Sequence, residues 1–122
     1  MQNNETWDDR YDLMNHAYLR YGVTYVTTIP YVAGVDGPEA VLLVSASGGI
    51  ITLPPAAEKR HAAFYIKNLA TAIPGPILIQ RSNADLIEGA TSLALPLLYD
   101  SVLVVSDGVD NWWVIANAGP SF

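Results

Sequence analysis

Two carboxylate pairs are the first candidates for chemistry in this chain of 122 residues. Asp85 and Glu88 stand close together beside a Glu-Gly step, and Asp107 and Asp110 flank Gly108. A glycoside hydrolase needs two carboxyl groups roughly 5–10 Å apart in a cleft, one protonated and one ionised. Asp-Gly and Glu-Gly steps are also ordinary turn chemistry: the acid bonds nearby backbone amides and glycine supplies positive φ. Turns, rather than acid–base work, are therefore expected at both places. Asp107, Asp110 and Asn111 fall short of the dense alternation of oxygen ligands in a calcium loop. His16 and His61 are the only histidines, they are far apart, and cysteine is absent, which leaves no zinc ligand set. There is no Gly-x-Ser-x-Gly elbow, and Ser47-Gly48-Gly49 lacks the Gly-Lys-Ser/Thr of a phosphate loop. The expectation is no catalytic residue, no metal and no cofactor. The sequon Asn4-Glu5-Thr6 has no basic and apolar leader in front of it, so glycosylation is not expected.

Aromatic side chains are the other candidates, and their chemistry is binding. Trp7, Tyr11, Met14, Tyr18 and Tyr21 recur at alternating spacings of four and three, the apolar stripe of an amphipathic helix. Thr6 and Asp9 form a capping-box pattern, Asp8, Asp9 and Asp12 crowd the first turns, Arg20 sits near the end, and Gly22 can close the helix. A helix is predicted over about 7–21. Its stripe either packs on its own domain or docks on another protein, where aromatic anchors dominate contact energy. Trp112 and Trp113 are adjacent in a strand pattern, so alternation sends them to opposite faces. They are candidates for an interface between chains or for an exposed aromatic platform.

After Gly22 the pattern changes to strands. Val23–Val32 is β-branched and aromatic, with Pro30 marking an edge, a bulge or a strand end. Val41–Val44 and Ser101–Val105 are uninterrupted apolar runs that predict buried strands. Further strands are predicted at Ile50–Leu53, Ala62–Leu69, Ile77–Gln80, Leu86–Ile87, Ser92–Leu95 and Asn111–Ala116, separated by Gly, Pro and Asp turn signals. Ser106–Asp110 predicts a hairpin loop. The pattern reads as an all-β domain, a sandwich or barrel of about eight short antiparallel strands, preceded by an N-terminal helix or arm. The division is 1–22 as an attachment segment and 23–122 as a single β domain. No repeat of 20–50 residues is evident.

Composition narrows the function classes. Charged residues make up 15% and hydrophobic ones 51%, which excludes intrinsic disorder. The formal net charge of −6 argues against nucleic acid, whose phosphates an acidic domain repels. The longest apolar run, Leu93–Tyr99, is far short of the ~20 residues a membrane-spanning helix needs. A mean hydropathy of +0.23 is high for a small lone domain. So few charges predict surface hidden against copies of the chain or a partner.

The stretch from Ile50 to Ile115 resembles a module of tailed-phage virion proteins: head fibres, capsid decoration (cement) proteins and tail fibres. The resemblance rests on Ile51-Thr52-Leu53-Pro54-Pro55-Ala56, Tyr65-Ile66-Lys67-Asn68-Leu69, Asn83-Ala84-Asp85-Leu86-Ile87-Glu88-Gly89 with Ser92 and Leu93, Val104-Val105-Ser106-Asp107-Gly108, and Asn111-Trp112-Trp113-Val114-Ile115. It covers a little over half of the chain. Two features depart from the pattern: no glycine precedes the Tyr65-Ile66-Lys67-Asn68 strand, and Pro74-Gly75-Pro76 is inserted. The resemblance implies a β module that assembles as a homotrimer on the outer capsid surface and has no active site. The implied partners are the chain itself and the major capsid protein of a phage shell, with Trp7, Tyr11, Met14, Tyr18 and Tyr21 as the contact residues. The alternative is a receptor-binding module that holds bacterial surface glycan on Trp112 or Trp113. A small glycan hydrolase is the remaining alternative, and it needs paired carboxylates in a cleft.

Overall fold

β-branched and aliphatic runs cut short by proline and glycine can bury one face only by stacking sheets. The computed structural model describes residues 22–34, 41–46, 48–59, 62–70 and 76–122 and is predominantly β, with ten strands in two sheets. The strands are β1 (Val23–Val26), β2 (Tyr31–Val32), β3 (Val41–Val44), β4 (Gly49–Thr52), β5 (Ala63–Asn68), β6 (Ile77–Gln80), β7 (Leu86–Ile87), β8 (Ser92–Leu95), β9 (Ser101–Ser106) and β10 (Asn111–Ala118). A 3-10 turn occupies Ala56–Glu58. The N-terminal helix predicted over 7–21 lies outside the described residues.

The six-stranded sheet runs β1-β3-β5-β9-β10-β7 and the four-stranded sheet β2-β4-β6-β8. From β1 to β6 the chain alternates between the sheets at every strand. Neighbours within a sheet are therefore two strands apart in sequence and run the same way. β1, β3 and β5 are parallel, as are β2, β4 and β6, and β7 with β10. Only β5–β9, β9–β10 and β6–β8 are antiparallel. The expected antiparallel order is thus corrected to a mixed one. A parallel pair needs a crossover, usually a helix; here the intervening strand of the opposite sheet supplies it. Pro30 marks a strand end: β1 stops at Val26, and the chain changes sheets before β2.

One core lies between the sheets. The six-stranded sheet contributes Val26, Leu42, Val44, Phe64, Ile66, Val102, Val104 and Trp112, and the four-stranded sheet Ile51, Ile77, Ile79 and Leu95. Trp112 is wholly buried, its ring tilted against Phe64 at a centroid distance of 5.6 Å. Its indole N–H donates to the Pro54 carbonyl at 3.2 Å. Asn68 ties the sheets together from inside: its amide donates to Leu95 O at 2.9 Å and its oxygen accepts the Ala70 N–H at 2.8 Å.

The C-terminus is held by Asp100, which is buried. Its carboxylate accepts the Leu97 N–H and both the N–H and the hydroxyl of Ser121. Gly119 is required here: at φ +115° a Cβ would lie 2.6 Å from Asp100 Cα. Burial pushes the Asp100 carboxyl up, but its bonds from Ser121 and Leu97 outweigh this and hold it below the ordinary value of 3.8. A lowered folded-state pKa gives stability that is complete above 3.8 and is lost as pH falls through the folded value. Urea titrations should show stability falling below pH 3.8, and Asp100→Asn should flatten that acid limb. An unchanged acid limb in that variant would remove Asp100 as its source.

Candidate interaction surface

Each carboxylate that raised the question of acid–base work bonds within its own protein. Asp85 reaches across the sequence to accept the Ala56 N–H at 2.8 Å, which fixes the 3-10 turn. Glu88 accepts the Val114 N–H at 2.8 Å. Asp107 accepts the N–H groups of Val109, Asp110 and Asn111 across the hairpin loop, and these hold its carboxyl below the ordinary range. Asp110 accepts the Asn111 side-chain amide. These acids organise turns, as their glycine neighbours suggested. Among the described residues no group of three or more His, Cys, Asp or Glu is placed to hold a metal ion. No helix among them is long and apolar enough to cross a membrane.

The broader of the two outer faces is that of the six-stranded sheet. Side chains alternate across a strand, so the residues next to the buried ones along each strand look outward. The middle row across the sheet is Val23, Val41, Tyr65, Leu103 and Ala116, paired in register. On one side stand Ala63, Val105 and Trp113. On the other stand Tyr25, Leu43, Lys67, Ser101 and Ala118. Among the described residues, Lys67 is the single charge in these rows. Its ammonium lies over the Tyr99 ring, 5.7 Å from the centroid, and Tyr65 Oη and Ser101 Oγ share a hydrogen bond of 3.1 Å.

Exposure is greatest at the two margins. Tyr25 on β1 is 68% exposed, Trp113 on β10 is 44% and Ile115 is 62%. Ile115 is the extra residue of a bulge, since the β9–β10 register shifts between Val114 and Ala116. The outward face of the four-stranded sheet carries two paired rows: Val32, Thr52, Gln80 and Ser92, and Ile50, Leu78 and Ala94. Both outer faces therefore mix apolar and polar side chains, and the six-stranded one is the more aromatic, with Tyr25, Tyr65 and Trp113.

The candidate residues named from sequence divide accordingly. Trp112 and Trp113 do point to opposite faces. Trp112 belongs to the core and is corrected as a surface candidate, because β10 turns it toward Phe64 and Pro54. Trp113 is the outward one. Trp7, Tyr11, Met14, Tyr18 and Tyr21, with His16 and His61, lie outside the described residues. Sequence reasoning missed Tyr25, Leu43, Tyr65 and Leu103 as surface residues. The available signal was that Val41–Val44 and Ser101–Val105 are apolar at every position but the first serine. Such runs belong to strands covered on both faces, and among the described residues the core covers only one. Comparison with protein-family models, with curated proteins and with solved structures returns no match, so function is argued from residues and geometry.

Proposed function

We propose that the chain is a structural protein of a tailed-phage virion. It is a capsid decoration (cement) protein or short head fibre that forms a homotrimer and stabilises the shell from its outer surface by non-covalent contacts. The observation that carries this reading is the broad, aromatic outer face of the six-stranded sheet, a surface with the character of a subunit interface. The carboxylates bonded to backbone amides favour a mechanical role over a catalytic one. Shell stabilisation then works by area and multiplicity: three modest contacts on one trimer act as one strong attachment, and a trimer matches a three-fold position by symmetry.

In this reading residues 1–22 attach to the major capsid protein, with Trp7, Tyr11, Met14, Tyr18 and Tyr21 as anchors. Deleting residues 1–20 is expected to abolish co-sedimentation with phage shells while the β domain keeps its far-UV circular dichroism and melting temperature. Shell binding at the full-length level by the truncated protein would overturn this division of roles. Trp113 favours one second reading, a receptor-binding module in which its exposed ring stacks on bacterial surface glycan. Glycan-array binding that Trp113→Ala removes would select it.

A further inference from the structure

We infer that Asp107 is a concealed isomerisation site: when the β9–β10 hairpin opens, its carboxyl closes onto the Gly108 nitrogen, and the β-linked aspartate that results keeps the chain from folding again. The loop does this whatever surface the domain docks on.

The residue types supply the reaction. Asp107 precedes glycine, the neighbour whose nitrogen is least shielded because no Cβ stands beside it. The Gly108 nitrogen bonds Asp107 Cγ and gives up its proton to solvent. The protonated carboxyl loses one oxygen as water, which leaves a five-membered imide. Water then adds to one of the two imide carbonyls. Addition at Cγ breaks the Cγ–N bond and restores aspartate. Addition at the main-chain carbonyl breaks its bond to nitrogen and leaves the chain running through Cβ and Cγ. One water leaves and one enters, so the mass is unchanged and no oxidant or reductant takes part.

The folded loop restrains both reacting groups. The Gly108 N–H donates to Ser106 Oγ at 2.9 Å. Ser106 is buried and its own hydroxyl donates to Ala56 O at 2.8 Å, so its oxygen presents a lone pair to Gly108. Asp107 Oδ1 accepts the N–H groups of Val109 at 2.8 Å and of Asp110 and Asn111 at 3.1 Å. These bonds, that from Val109 first, favour the ionised carboxyl, which has no water to lose. Attack therefore waits for local opening of the loop.

The product does not rebuild the loop. An extra methylene enters the main chain, and the carboxylate now hangs directly from Cα, without the reach that caps three amides. The insertion falls where the Asp107 N–H meets Asn111 O and Ser106 pairs with Trp112. It displaces the strand that delivers Trp112 to the core.

The full chain is aged at neutral pH, folded or unfolded in guanidinium chloride, and β-linked aspartate is located by peptide mapping with electron-transfer fragmentation. Mapping separates Asp107 from the other Asp-Gly step, Asp36-Gly37, which lies outside the described residues. Isomerisation at Asp107 is expected to be at least about tenfold slower in the folded chain. Hydrogen exchange at the Gly108 amide should show the same protection within about threefold, because both processes need that N–H freed. After the denaturant is removed, gel filtration should leave β-linked Asp107 in the unfolded pool and deplete it from the refolded one. Folded Ser106→Ala is expected to isomerise about fivefold faster than the parent, the worth of one hydrogen bond.

Equal rates in the folded and unfolded chain would overturn the concealment. So would isomerisation far less protected than exchange, which would place the attack in the closed loop, or an unchanged rate in folded Ser106→Ala. Should that variant not fold, the agreement of the two parent protections decides alone. β-linked Asp107 at equal fractions in both pools would overturn the block to refolding.

Discussion

Trp112→Ala is expected to cost about 3–5 kcal/mol of folding stability, the range for deleting a fully buried large aromatic. Trp112 has no exposed surface and is the largest of the fully buried side chains. Its removal opens a cavity beside Phe64 and leaves the Pro54 carbonyl without the indole N–H. That carbonyl belongs to the segment entering the 3-10 turn, which Asp85 and Ser106 also fix through Ala56. Loosening it therefore affects three strand ends together. A domain of this kind has about 5–15 kcal/mol in total, so a large share disappears. Trp112→Phe keeps most of the ring contact and loses the hydrogen bond, and is expected to cost less, about 1–3 kcal/mol. Urea unfolding followed by far-UV circular dichroism at fixed chain concentration, needed because association adds to apparent stability, measures both. Equal costs for the two variants would show that the hydrogen bond, not the packing, holds the site.

Asn68→Leu is expected to destabilise by about 2–5 kcal/mol although leucine is apolar and of similar size. Asn68 is fully buried at the end of β5, and its side chain bonds Leu95 O on the other sheet and the N–H of Ala70. Leucine would leave a buried donor and a buried acceptor unpaired, each costing about 1–3 kcal/mol. Its backbone is engaged as well, donating to Asp100 O and accepting from Tyr99 N. The side-chain loss thus falls where β5, β8 and the Asp100 turn meet. A loss under 1 kcal/mol in the same urea assay would show that the sheets do not depend on this link.

The strand positions were legible because proline and glycine punctuate them. Val41–Val44, Ile77–Gln80, Leu86–Ile87 and Ser92–Leu95 begin and end where the pattern of apolar and turn residues says. The winding was not legible. Val23, Val41 and Tyr65 stack in one sheet and Tyr31, Ile51 and Ile79 in the other, yet the sequence intervals between them are unequal. Unequal connections erase the fixed period by which stacked coils are recognised, and short strands divided by turns read as hairpins instead.

The surface was half legible. Low charge pointed to a hidden interface, but the runs Val41–Val44 and Ser101–Val105 read as strands buried on both sides. Only the topology shows that one side of each faces out. The acids show the same limit from the other direction. Asp85 was recognisable as a turn residue, but its bond to Ala56 spans 29 residues and follows from packing, not from local spacing.

The central claim is that this β domain is a subunit that buries its outer sheet face against copies of itself. Light scattering after gel filtration of the full chain tests it most directly. Three chains of 13.2 kDa should elute together with a mass of about 40 kDa, the value a three-fold assembly requires. A single species at 13.2 kDa over a hundredfold range of concentration would contradict it.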